Sequence, residues 1–213
     1  MSKIRIRLSG DWPAWSPDVR QGRMTDANGV SRQVLVRLRR ELPVDEEGRS
    51  RARRDGRVLA ALEDPGILRI FHVSMLEGHV AEVAEFYRAA SLRTMLDCLE
   101  AHEEVMAPRT VVELAAEVAG ILAGVLGGSP ESDTLLVHRG AGPQDVLVDD
   151  GGGVKLTGFD VHRSTDPEKE GREGYTPPEG FVVDGSSYGV GALLSELLIG
   201  DCPPSARDEK SDH

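Results

Sequence analysis

At 213 residues the chain is long enough for one large or two-lobed domain, and a chain of that size buries roughly 70% of its unfolded surface. With 39% hydrophobic and 29% charged residues it has the make-up of a globular protein and not of a disordered one. Its formal net charge of −11 speaks against non-specific binding to nucleic acid or to anionic lipid, since both need clustered Lys and Arg.

The first residues, Met1-Ser2-Lys3-Ile4-Arg5, lack the apolar stretch of a signal peptide, and no uncharged apolar run is long enough to predict a membrane span. Ile4, Ile6 and Leu8 alternate with Lys3, Arg5 and Arg7, the period of a half-buried strand. After the turn-like Asp26-Ala27-Asn28-Gly29, the β-branched run Gln33–Leu38 predicts another strand. The charged stretch from Asp45 to Leu62 predicts a helix, with Ala52, Leu59 and Leu62 facing inward. Two strands, Ile67 to Met75 and His79 to Phe86, follow as a hairpin turning at Glu77-Gly78. The pattern then becomes helical. One helix starts at Ser91, and a second at the capping box Thr110-Val111-Val112-Glu113, with Leu114, Val118, Ile121, Leu122 and Val125 as its apolar stripe and Gly127-Gly128 as its stop. Val146–Val148 and Val154–Leu156 form a second hairpin around Asp149-Asp150-Gly151-Gly152-Gly153, and a largely apolar helix from Ser187 to Ile199 is predicted to be buried. Cys98 and Cys202 are too few and too far apart for a disulfide framework or a C-x-x-C zinc site, which predicts a reducing, cytoplasmic setting. The order of elements predicts an α+β protein in two parts: residues 1–84, residues 85–202, and a polar tail at 203–213.

The most informative stretch is Val137-His138-Arg139-Gly140-Ala141-Gly142-Pro143-Gln144-Asp145-Val146, which resembles the catalytic loop of protein kinases, H-R-D-x-x-x-x-N before an apolar strand. Gly158-Phe159-Asp160 stands where that family has D-F-G, and Tyr175-Thr176-Pro177-Pro178-Glu179 where it has A-P-E. Asp184 and the following Ser187–Gly200 resemble the helix that anchors the second lobe. Upstream, Leu62–Ile67 resembles the turn after the regulatory helix, and Val83–Phe86 the hinge. One such likeness is weak; six in family order, from about Gln33 to Gly200, identify the chain as similar to protein kinases of the bacterial serine/threonine type. The resemblance implies a two-lobed fold, with a β-rich first lobe and a mainly helical second lobe cut short after its central buried helix.

The same resemblance places the reactive groups, and most are replaced. The general base would fall at Gly140 and the lysine that steadies the transferred phosphoryl at Gly142. The magnesium-binding Asn falls at Asp145, the D-F-G aspartate at Gly158, and its glycine at Asp160. The strand Lys falls at Arg37 and its helix Glu partner at Asp55, while the glycine-rich loop has only Gly10-Asp11-Trp12-Pro13-Ala14-Trp15 as a counterpart. His138, Arg139, Phe159, Glu179 and Asp184 are the retained structural positions. These substitutions imply a pseudokinase with no catalytic residue and no cofactor, which works through a protein partner. The alternative is an ATP- and magnesium-binding protein that uses Arg37, Asp55, Asp145 and Asp160, with weak or switch-type activity.

Several features keep two readings. Asp145 and Asp160 are a residual metal pair or two solvated loop carboxylates. Arg49, Arg51, Arg53, Arg54 and Arg57 are a solvated helix face balanced by Asp45, Glu46, Glu47 and Asp55, or a docking surface for an acidic or phosphorylated partner. Trp12 and Trp15 plug the nucleotide cleft or cap the first sheet, and Ser164 and Thr165 occupy the activation-segment position.

Overall fold

The computed structural model describes residues 4–9, 18–40, 45–126, 134–138, 140–163, 174–177 and 185–200. The chain divides into two compact units, Met1–Ala90 and Ser91–His213.

The first unit is built on a five-stranded antiparallel sheet in the order β1-β2-β3-β5-β4. Its strands are β1 (Arg5–Leu8), β2 (Val19–Thr25), β3 (Ser31–Arg39), β4 (Ile70–Leu76) and β5 (His79–Glu85). Side chains alternate between the two faces, so Val34, Val36 and Leu38 of β3 share one face with Met24, Ala81 and Val83. Ile6, Leu8, Phe71 and Leu76 pack against that cluster. Leu35, Arg37 and Arg39 point to the opposite face. The β4–β5 turn has Glu77 and Gly78 both at positive φ, the twist that a two-residue hairpin loop requires. β2 was not foreseen, because only Val19 and Met24 are strongly apolar in its seven residues.

The helix predicted over 45–62 is α1 (Glu46–Ala60), and the Asp45 carboxylate caps it by accepting from the Gly48 N–H at 2.7 Å. Its inward face is Asp55, Gly56 and Leu59. Ala52 and Leu62, expected there, are only half-buried, and Leu62 lies beyond the helix end. Gly56 is what lets α1 approach β4: a Cβ at that position would lie 2.5 Å from the Val73 Cβ.

A short strand, β6 (Ala89–Ser91), leads into the second unit. There the Ser91 hydroxyl caps α2 (Leu92–Ala101), accepting from the Thr94 N–H at 3.2 Å. The next helix, α3, runs Pro108–Leu126. The capping box expected at Thr110 is therefore inside the first turn. Pro108 sets the start with its fixed φ, and Glu113 pairs instead with Arg109 at 2.8 Å. Two four-residue strands that the sequence did not announce, β7 (Thr134–Val137) and β10 (Asp160–Arg163), pair antiparallel with Asp160 opposite Val137. Between them a 3-10 turn, Pro143–Asp145, precedes the expected hairpin of β8 (Val146–Asp149) and β9 (Val154–Leu156). The last helix, α4 (Gly185–Ile199), packs on α3. It buries Ala192, Leu193 and Leu197, but Leu198 and Ile199 are exposed, so its end is not enclosed as expected. No helix among the described residues is long and apolar enough to cross a membrane.

Candidate functional site

In the second unit the site is assembled from the ends of β7 and β10. His138, buried at the end of β7, donates from Nε2 to the Thr157 carbonyl at 2.8 Å. Its ring meets the buried Phe159 ring edge-on, with centroids 5.0 Å apart. This pair joins the loop after β7 to the Gly158-Phe159-Asp160 segment, so both segments have a fixed separation.

Gly140 and Gly158 each have φ of +90°, a region that glycine tolerates and other residues resist. A Cβ at Gly140 would lie 2.8 Å from the Tyr175 carbonyl oxygen. Gly189 of α4 closes the same spot from another side, since its Cβ would come within 3.1 Å of the Ala141 nitrogen. Space for a side chain at 140 is therefore already occupied by backbone. The situation at Gly158 is comparable: a Cβ there would lie 2.8 Å from Asp145 Oδ1 and 3.5 Å from His138 Nε2.

Asp145 is 1% exposed, which overturns its reading as a solvated loop carboxylate. Its Oδ2 accepts from the Gly142 N–H at 3.3 Å, while its backbone N–H donates to the Gly142 carbonyl at 2.9 Å. The Asp145 carbonyl in turn accepts from the Thr157 N–H at 2.9 Å. Asp160 is half-buried and accepts from the Val161 N–H at 2.9 Å. Among the described residues no group of three or more His, Cys, Asp and Glu side chains could hold a metal ion. Magnesium takes an octahedron of oxygens and keeps several waters. An enclosed carboxylate lying against a glycine backbone does not fit that ion.

The first unit holds a charged cluster on the α1 side of its sheet. Arg37 lies opposite Glu82 in the β3–β5 register, but the ion pair to Glu82 comes from Arg39, at 2.5 Å and mostly buried. Asp55 pairs with Arg51, one turn earlier on α1, at 3.5 Å. Arg37 and Asp55, the positions of the family's Lys–Glu pair, are not joined to each other, as the shorter aspartate would allow only with a shift, and Arg37 has no ion pair among the described residues. Arg39 and Glu82 were missed, although the alternation of β3 puts Arg37 and Arg39 on one face.

A second buried pairing was also missed. Tyr175 donates its hydroxyl proton to Glu196 Oε2, and Arg93 donates to Glu196 Oε1. Glu196 is 3% exposed, so its charge depends on these two partners. Burial works against the Arg93 cation, yet the hydrogen bond and charge of Glu196 hold its pKa above the ordinary arginine value. The three residues belong to separate elements, and only their packing reveals them. Arg139, Glu179, Asp184, Trp12, Trp15, Ser164 and Thr165 lie outside the described residues.

Solved structures of the PknI kinase domain of Mycobacterium tuberculosis share this fold. One superposes with a TM-score of 0.66 at 20% identity, covering 95% of this chain and 76% of the other. Among curated proteins, serine/threonine-protein kinase PknL of M. tuberculosis is 30% identical over 173 residues, which is 75% of this chain and 40% of PknL. The chain is similar in sequence to serine/threonine protein kinases and shares the kinase-domain fold. Ribosomal protein S6 kinase 2 beta of Xenopus laevis is a further kinase relative, 28% identical over 197 residues, covering 87% of this chain and 29% of that protein. No protein-family profile matches the chain. The kinase-like chain spans well under half the length of these curated relatives. Its two units correspond to a β-sheet first lobe and a helical second lobe, the two-lobed fold expected from the motifs.

Proposed function

We propose that this kinase-like domain transfers no phosphate at a useful rate and acts through protein–protein binding, as a regulatory or scaffolding element of the cytoplasm. The observation that supports it most is Gly140. At the position where the family resemblance puts the general base there is no side chain, and the space one would need holds the Tyr175 carbonyl. Loss of a positioned base costs on the order of 10²–10⁴ in rate, against kinase turnovers of about 1–100 per second. Gly158, at the position of the metal-binding aspartate, removes an electrostatic contribution that is usually larger still.

The competing reading is a nucleotide switch that holds ATP and magnesium through Arg37, Asp145 and Asp160. Thermal melting of the protein with and without millimolar ATP and magnesium separates the two. Ligand at 100 times its Kd adds about 2.7 kcal/mol of stability, a shift of several degrees. The binding reading expects no shift. Phosphate transfer to a generic protein substrate, or a melting shift, that disappears on Asp145→Ala would overturn it.

A further inference from the structure

The exposed side of α1 carries an unbalanced row of arginines. Arg49, Arg53, Arg54 and Arg57 are all exposed, and none forms an ion pair among the described residues. Arg49, Arg53 and Arg57 follow one another at four-residue steps, so like charges sit one turn apart, an arrangement that weakens a helix. Two of the acids that could offset them are engaged elsewhere. Asp45 is tied to the Gly48 N–H as the helix cap, and Asp55 is turned inward, buried beside Arg51. Glu46 is exposed, but it stands at the opposite end of the row from Arg57. Among the described residues no acid offsets this row of cations, in a chain of net charge −11.

From this we infer that the outer face of α1 is a docking surface for an acidic segment of a partner protein, one rich in Asp and Glu. The inference names a surface and a partner chemistry for the binding function proposed above. It stands whether or not the domain transfers phosphate. From Arg49 to Arg57 the helix rises about 12 Å, the length of roughly four residues of extended chain. Arginines one turn apart are separated by about 6 Å along the axis, close to the spacing of alternate residues in a strand. An extended segment with a carboxylate at every second position therefore matches the row. Long polyanions fit less well. Duplex DNA or an anionic bilayer would face the whole negative chain beyond this short row, whereas a short peptide would face the row alone.

The test uses a fluorescein-labelled peptide of four Glu-Ser repeats, with anisotropy read at about 50 mM and 500 mM salt. The unaltered protein is expected to bind it at low salt and release it at high salt. The variant R53Q/R54Q/R57Q is expected to bind about tenfold more weakly, since three exposed pairs in the middle of their usual range amount to that factor. The variant R5Q/R7Q, which removes exposed arginines of β1, is expected to bind like the unaltered protein. Equal binding by R53Q/R54Q/R57Q would overturn the proposal. So would an equal loss in R5Q/R7Q, or tighter binding of duplex DNA or phosphatidylserine vesicles at the same salt. Should the glutamine variant melt early, a peptide of four Lys-Ser repeats makes the comparison on the unaltered protein. It is expected not to bind, and binding equal to the acidic peptide would refute the surface.

Discussion

Gly140 and Gly158 are more than vacancies in a motif. Both combine a φ of +90° with a neighbour at 2.8 Å from where a side chain would begin. Putting an aspartate at either position would strain the backbone, at about 1–3 kcal/mol, and crowd its surroundings, at about 1–3 kcal/mol more. Gly140→Asp and Gly158→Asp are each expected to lower the urea midpoint without creating phosphate transfer. For Gly158→Asp the new carboxylate would also face the buried one of Asp145. Adding Asp145→Asn should then recover part of the loss, and a double-mutant cycle measures the recovery. At this scale the sequence told which residue types had changed, because the resemblance assigns positions. It could not tell that Tyr175 and Asp145 fill the space, since packing between segments leaves no mark on spacing. Nor could it tell that Asp55 pairs with Arg51 and Glu82 with Arg39, again because pairing depends on packing.

Helices and strands were more legible, with failures that have physical causes. α1 and the two hairpins emerged from alternation, helical spacing and turn residues. β2 escaped because its alternation is weak, and β7 and β10 because four residues carry too little pattern. The Thr110 capping box was a plausible signal that lost to Pro108, two residues upstream. Glycines within helices divide sharply by surroundings. Alanine normally stabilises a helix relative to glycine by about 1 kcal/mol. At Gly120 and Gly124 of α3 a Cβ would meet nothing within 4 Å, so alanine at each should raise the melting temperature. At Gly56 of α1 the Val73 side chain blocks it at 2.5 Å, so Gly56→Ala should instead destabilise by about 1–3 kcal/mol. Chemical denaturation of the three single variants tests both signs.

For the molecule as a whole, the order of six motifs carried the fold, and the TM-score of 0.66 agrees with that order. What the order could not supply is how charges are paired inside each unit. One titration follows from burial alone. His72 of β4 has its pKa lowered below 6.5 because burial disfavours the imidazolium. A depressed histidine favours the folded state while it is neutral. That contribution is present above the unfolded pKa of about 6.5 and is lost as pH falls below it, where the unfolded chain binds the extra proton. The melting temperature should therefore fall between about pH 7 and pH 5, and His72→Gln should fall less. A variant that loses as much as the unaltered protein would assign the pH dependence to other groups. Arg93 adds nothing in that window, because it keeps its proton throughout.

The meeting of Gly140, Tyr175 and Gly189 has a consequence for how this chain can change. Glycine and aspartate codons differ by one base, so point mutation keeps offering an acidic residue at 140. Each such mutant would meet the Tyr175 carbonyl, and shifting that carbonyl would press on the Gly189 helix behind Ala141. Genetically the step back is the shortest available, yet mechanically it needs three segments to move together. A saturation scan of this domain would then score aspartate at 140 among the poorly tolerated substitutions, beside ordinary folding defects.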